Sequence, residues 1–215
     1  MLKPLVIIGA GGHASVLVDI LRQQKRNIVA IVSPDIDYHY EVFSGIERFV
    51  DDNDVLKFKK ESVKLVNGIG VLPNNNLRSL IYDKFVGLGY EFETVIAGNS
   101  IVSRYAKLQK GVQIMSGVVI QTGTVIGENT IVNTGVIVDH DCKIGRDNHL
   151  APGAVLCGAV SSKERVHFGT GCNVIQCVTI GNDAVIGAGV AVTKNIAAFT
   201  TCYPARGEEK VINDE

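Results

Sequence analysis

The run "NTGVIVDHDCKIG" places His140 between Asp139 and Asp141 in an otherwise apolar, glycine-punctuated stretch. An imidazole with an ordinary pKa of about 6.5 can take up and return a proton near neutrality. A neighbouring carboxylate can orient the ring and stabilise its protonated form. The triplet therefore has the composition of a general base, with Asp141 the first candidate to orient it and Asp139 the second. His149 follows nine residues later and Gly158 eighteen residues later. Near the start, "GAGGHA" supplies Gly9, Gly11, Gly12 and His13. Glycines there let backbone approach a phosphate, and a following helix N-terminus favours negative charge. The G-x-G-x-x-A spacing is a weak signal when it stands alone.

The elements that must position these groups follow two periodicities. Up to about residue 93 the chain alternates strand and helix. Leu5 to Ile8 reads as a strand, Ser15 to Gln24 as an amphipathic helix and "NIVAIV" as a second strand. Val63 to Val66 reads as a third strand, and a helix after the Asn cap of "NNNLRS" carries Leu77, Leu80, Ile81 and Phe85. Such alternation predicts a small parallel α/β unit. From Ile96 an apolar residue recurs every six positions to Val192, broken only by Ser162. Neither a helical nor a strand period gives six. A hexapeptide repeat does, and it predicts a parallel β-helix with three hexads per triangular coil. The lead residue of each hexad points inward and stacks on its counterpart eighteen residues on, and the coils are stable only when stacked. The expected boundaries are 1–93 for the α/β domain, 94–195 for the β-helix and 196–215 for a tail that leaves the register.

This register places the candidate residues. His140 lies two past the inward Val138, so it sits on a corner and faces outward, where a core histidine would face in. His149 is half a coil away and lies across the prism. If both serve one active site, they come from different subunits. Gly158 stacks directly over His140. Cys142 takes an inward position, which suits packing better than nucleophilic attack.

Composition narrows the field. A chain of 215 residues with 46% hydrophobic residues can bury a sizeable core. A formal net charge of −1 makes no electrostatic case for nucleic acid or an anionic membrane. The N-terminal apolar run is too short for a secretory segment or a membrane span. Five cysteines without a CxxC spacing predict free thiols in a reducing cytoplasm.

Taken together, "IIGAGGHASVLVDIL", "NTGVIVDHDCKIG" and "HLAPGA" resemble the bacterial nucleotide-sugar acetyltransferases. That group includes bacillosamine-type and perosamine-type N-acetyltransferases and sialic acid O-acetyltransferases. The resemblance implies a Rossmann-like α/β unit followed by a left-handed parallel β-helix. It implies an acetyl-CoA-dependent homotrimer with active sites between subunits, acting on a nucleotide-linked 4-amino-deoxysugar for cell-surface glycan synthesis, without a metal. Residue by residue, it implies that His140 is the base and Asp141 its acidic partner. His149 lies near the acetyl group and the Gly158 amide at the thioester oxygen. Gly9, Gly11, Gly12, His13, Gly70 and Asn133 lie at the sugar nucleotide, and Asp35 falls near the acidic pair that meets base or ribose. "IVSPDID" departs from the family there, leaving the nucleotide open. "SSKERVHFG" departs from the repeat and is expected to bulge outward towards CoA; Lys163, Arg165 and Lys194 are candidates to meet CoA phosphates, and solvated surface charge is the simpler explanation for all three.

Three other readings stand beside this one. A trimeric β-helix zinc enzyme needs three histidines, and His140, His149 and His167 lack the close pair. A non-catalytic scaffold would use the helix only as a trimerisation rod. O-acetylation of a sialic acid or another sugar would use the same base.

Overall fold

The computed structural model describes residues 2–34 and 40–204. Its N-terminal part is a four-stranded, wholly parallel sheet in the order β3-β2-β1-β4, formed by β1 (Leu5–Ile8), β2 (Ile28–Val32), β3 (Glu47–Phe49) and β4 (Lys64–Asn67). β1 is buried along its full length, as expected of a central parallel strand covered on both faces. Helix α1 (Gly12–Gln23) buries Leu17, Val18 and Leu21 on one side of the sheet. Helix α2 (Leu77–Gly87) buries Ile81 and Phe85 on the other. The short polar β3 was absent from the sequence reading because "ERF" has no apolar run. It is an edge strand that, among the described residues, pairs with β2 alone.

From Val95 onward the chain builds a three-faced prism of two-residue parallel strands. The lead residues fall second in each strand, and partners lie eighteen residues apart: Ile120, Val138, Leu156, Val174 and Val192 form one such stack. Their side chains line a continuous apolar interior with Val136, Cys142, Ala154 and Val160. This is the parallel β-helix expected of the six-residue period, and the left-handed form of it that the resemblance implies.

Two local expectations need correction. The stretch around Ser162 does not bulge outward. Ser162 is buried and stays in register between Ile144 and Ile180. The reason is Asn148, wholly buried one corner below. Its amide nitrogen donates to the Ser162 hydroxyl at 2.9 Å and to the Lys163 carbonyl at 2.9 Å. A polar lead residue is tolerated because it has a polar partner inside. Nor does the chain abandon the prism after Val192. Ile196 bridges Ile180, and Thr201–Cys202 pairs with Val185–Ile186, so the spacing shortens from eighteen to sixteen while the stack continues.

The N-terminal part sits on the prism face that carries His149. Ile131 and Met115 of the prism pack into the same core as Ala14, Leu17 and Val66. A buried polar seam completes the join. Arg78 donates to the carbonyls of Asn67 at 2.8 Å and Ile69 at 2.7 Å, and Asn67 meets Asn129, which donates to Asp147 at 2.7 Å. Burial pulls the Arg78 pKa down to about 9, so it keeps its charge at neutral pH.

Candidate functional site

His140 occupies the turn between Ile137–Val138 and Lys143–Ile144, on a corner of the prism and away from the face that carries the α/β part. The corner is shaped by its column. Gly123, Asp141, Ala159 and Cys177 stand at the same place in successive coils, all with positive φ between +58° and +74°. Asp is one of the few non-glycine residues that tolerate that conformation. It turns the Asp141 carboxylate onto the ring of His140, where Oδ2 lies 2.9 Å from Nδ1. The side chain of Asp139 accepts the His140 backbone N–H at 2.8 Å, and its carbonyl is held by the Thr124 hydroxyl at 2.7 Å.

A carboxylate only accepts, so the Nδ1 facing it carries the proton and Nε2 is left as the free basic nitrogen. The hydrogen bond that Nδ1–H donates to Asp141, with the charge of Asp139 beside it, raises the imidazole pKa above its ordinary value. The ring is 55% exposed, so the basic nitrogen is open to an incoming group. Gly158 lies against it: a Cβ there would fall 2.6 Å from both Cε1 and Nε2. Its N–H meets no backbone acceptor among the described residues.

His149 lies on a different face, as the half-coil spacing requires. It is buried, which rules out a surface-strand histidine. Its Nε2 faces the Asn133 amide at 3.4 Å and its Nδ1 meets Nδ1 of His167 at 3.3 Å. Burial, then the neighbouring His167, pulls its pKa down to about 3, so it is neutral. Asn133 and His149 are therefore brought together, and within one chain neither joins His140.

The glycine loop is the third locus. Gly9 leaves β1 with φ +97°, and Gly68 approaches so closely that a Cβ on it would lie 2.8 Å from the Ile8 carbonyl and 2.8 Å from the Ala14 Cβ. Gly11 caps α1 without a side-chain hydrogen bond and Gly12 opens the helix. Gly70 lies over the His13 Cβ. His13 reaches the prism, with Nε2 2.8 Å from Oε1 of Gln113. Burial, then the charge of Arg78, holds its pKa down to about 4. Asp35 lies outside the described residues. Arg165 is committed to Asp183 through bonds of 2.7 and 2.8 Å.

Stepping by eighteen from His149 along the outer row reaches Gln113 and His167, which the sequence reading left out of the site. The same step back from Asp141 reaches Gly123, whose Cβ would lie against the Asp141 carboxylate. Arg78 gave no comparable signal. It is the second residue of α2, and only its tertiary partners reveal it. Among the described residues, no group of three or more His, Cys, Asp or Glu side chains is placed to hold a metal.

Comparison with known proteins decides the family. The PglD N-terminal domain model matches residues 4–85, and the bacterial transferase hexapeptide model matches residues 123–158. A histidine-to-asparagine variant of perosamine N-acetyltransferase from Caulobacter crescentus, solved with CoA and GDP-perosamine, is 35% identical. The match covers 94% of this chain and 93% of that one, with a TM-score of 0.84. The chain belongs to the bacterial nucleotide-sugar N-acetyltransferases. The acetyltransferase domain of PglB from Neisseria gonorrhoeae FA1090, in complex with acetyl coenzyme A, is 28% identical to this family member over 94% of its chain and 96% of the other, at a TM-score of 0.84. WeeI from Acinetobacter baumannii AYE shares the fold at 21% identity, covering 93% and 95% of the two chains, with a TM-score of 0.76.

Proposed function

We propose that this acetyltransferase moves the acetyl group of acetyl-CoA to the amine of a nucleotide-linked 4-amino-deoxysugar destined for a surface glycan. The observation that carries the reading is the corner where Asp141 holds His140 with Nε2 outward and Gly158 packs on the ring. The perosamine N-acetyltransferase matched over 93% of its chain was solved with CoA and GDP-perosamine, which supports both substrates.

The chemistry follows from the geometry. The sugar amine attacks the thioester carbonyl carbon and gives its proton to Nε2 of His140. Asp141 stabilises the imidazolium through Nδ1–H. The unpaired N–H of Gly158 receives the developing oxyanion. Collapse of the tetrahedral intermediate breaks the carbon–sulfur bond, and CoA leaves as the thiol after taking up the proton. Direct transfer fits better than a cysteine acyl-enzyme: Cys142 is buried inside the prism, and burial pushes its thiol up to about 11.

His149 and Asn133 are assigned to the acetyl group and substrate, and Gly9, Gly11, Gly12, His13 and Gly70 to the nucleotide sugar, with residues 1–93 as its domain and the β-helix from residue 94 through Cys202. Because His140 and His149 lie on different parts of one prism, a shared active site requires a neighbouring subunit. The homotrimer that this implies is supported by the outer column of the face next to His140, where Ile101 and Ile137 are 68% and 41% exposed. An apolar column of that kind is suited to a partner chain. The same column would serve a non-catalytic rod, but a rod has no use for an oriented, solvent-facing imidazole. The free thiols of all five cysteines fit a cytoplasmic setting. No helix among the described residues is long and apolar enough to cross a membrane.

The test is CoA release from acetyl-CoA with a panel of UDP-, dTDP- and GDP-linked amino sugars. At least one should turn over, and His140→Ala should lower kcat by about two to four orders of magnitude. A loss below about tenfold would remove His140 from the role of base.

A further inference from the structure

The hydrogen bonds around His13 fix which of its nitrogens carries the proton, and that determines what it can recognise. The amide nitrogen of Gln113 donates to the Asn67 carbonyl at 2.8 Å. A carbonyl only accepts, so the orientation of the Gln113 amide is settled. Its Oε1 therefore faces Nε2 of His13 at 2.8 Å, and Oε1 also only accepts. The imidazole proton must sit on Nε2. The same Asn67 carbonyl accepts from Nη1 of Arg78 at 2.8 Å, a group that is always a donor, so the seam cannot reverse its polarity.

A second proton is opposed from three sides. The ring is largely buried, the Arg78 guanidinium lies close by, and His13 occupies the first turn of α1, where the helix dipole disfavours a cation. Nδ1 is therefore a bare lone pair, and no described residue donates to it. The diphosphate of a sugar nucleotide is fully ionised near neutrality and offers only acceptors. Set against Nδ1 it would bring lone pair against lone pair. The backbone N–H groups at the start of α1, at Gly11 and Gly12, suit the phosphates instead.

Resting on the nucleotide-sugar reading above, we propose that His13 recognises a hydrogen-bond donor on the sugar, a hydroxyl or the amine, and makes no bond to the diphosphate. The loop thus divides its work: helix N–H groups hold the phosphates, and Nδ1 reads the sugar. His13 becomes a specificity residue that rewards a correctly placed donor.

Two measurements test this. Nitrogen-15 NMR of the ring nitrogens in the full-length wild-type protein at neutral pH should show Nε2 protonated and Nδ1 bare. A proton on Nδ1 overturns the proposal, and this measurement needs no variant to fold. Calorimetry then compares the nucleotide-linked amino sugar with the bare nucleoside diphosphate. His13→Ala should weaken the first about tenfold, the worth of one good hydrogen bond, and leave the second within about twofold. Equal weakening of both would place His13 at the phosphates and overturn the assignment. A nucleotide-linked hexose with hydroxyls but no amine identifies the donor: the same dependence on His13 assigns a hydroxyl, and its loss assigns the amine. If wild-type protein binds neither nucleotide ligand, the substrate reading itself falls and takes this proposal with it.

Discussion

Replacing Gly158 with alanine should disable the base while leaving the fold intact. The added Cβ would lie 2.6 Å from Cε1 and 2.6 Å from Nε2 of His140, where ordinary contact begins at 3.4 Å. The ring must therefore withdraw by about 0.8 Å or rotate about its side-chain bonds. It is free to do so, because it is more than half exposed and packs against no part of the core. The backbone at Gly158 is not left-handed, so alanine brings no conformational strain there. A misplacement approaching 1 Å costs about a hundredfold in rate, or about 2.7 kcal/mol of transition-state stabilisation. The expected result is a kcat about a hundredfold below wild type with a melting temperature within about 2 °C, since the surface change is stability-neutral. The assay is CoA release at saturating concentrations of both substrates, paired with thermal melting by circular dichroism. Adding His140→Ala to Gly158→Ala should cost much less than His140→Ala alone, because both changes remove one function. A Gly158→Ala enzyme within about threefold of wild type, or a full additive loss in the double variant, would refute the claim that this contact positions the base.

The His140 pKa is raised by Asp141, and in the proposed mechanism the neutral ring is the active form. The acidic limb of the kcat/KM profile should therefore fall above the ordinary histidine value, and Asp141→Asn should move it to lower pH; an unmoved limb would deny the pairing. His13 and His149 have folded pKa values of about 4 and about 3, below the unfolded value of 6.5. The unfolded chain then binds more protons as pH falls below that value, so stability is full above it and declines toward the folded pKa values. Urea unfolding at pH 5 should show about 2 kcal/mol less stability per histidine than at pH 7, and His149→Asn should recover part of that loss. Asn148→Ala removes the partner of Ser162, of the Lys163 carbonyl and of the Val166 N–H, and should cost about 2–4 kcal/mol in urea denaturation; a variant Ser162→Val added to it should restore part of that stability by removing one orphaned group.

How far the sequence could be read depended on whether an interaction is periodic. A β-helix repeats its geometry every six residues, so position in the row dictates direction. That made the inward stack of Val138 and Leu156, the outward corner of His140 and the seat of Gly158 over it all legible by counting. The α/β elements were legible from their apolar runs, apart from β3, which is polar and pairs on one edge. What stayed hidden has no period. Ser162 looked like a defect in the row because its compensation by Asn148 depends on two side chains meeting inside a corner fourteen residues apart.

The same distinction explains the seam between the two parts. His13, Asn67 and Arg78 belong to the α/β part, while Gln113, Asn129 and Asp147 belong to the prism, and no spacing links the two sets. Neither Gln113, one polar residue on a strand, nor Arg78, one charge near a helix start, stands out in the sequence. Only when α1, α2 and β4 are laid against the prism do their hydrogen bonds connect: the imidazole donates to Gln113, and Gln113 and the guanidinium both donate to the Asn67 carbonyl. The proposed catalytic corner could thus be found from local rules, because one coil carries both His140 and Asp141. The proposed recognition of the sugar nucleotide depends on how two differently patterned halves meet, and that relation is encoded in buried polar groups whose partners must all be satisfied at once.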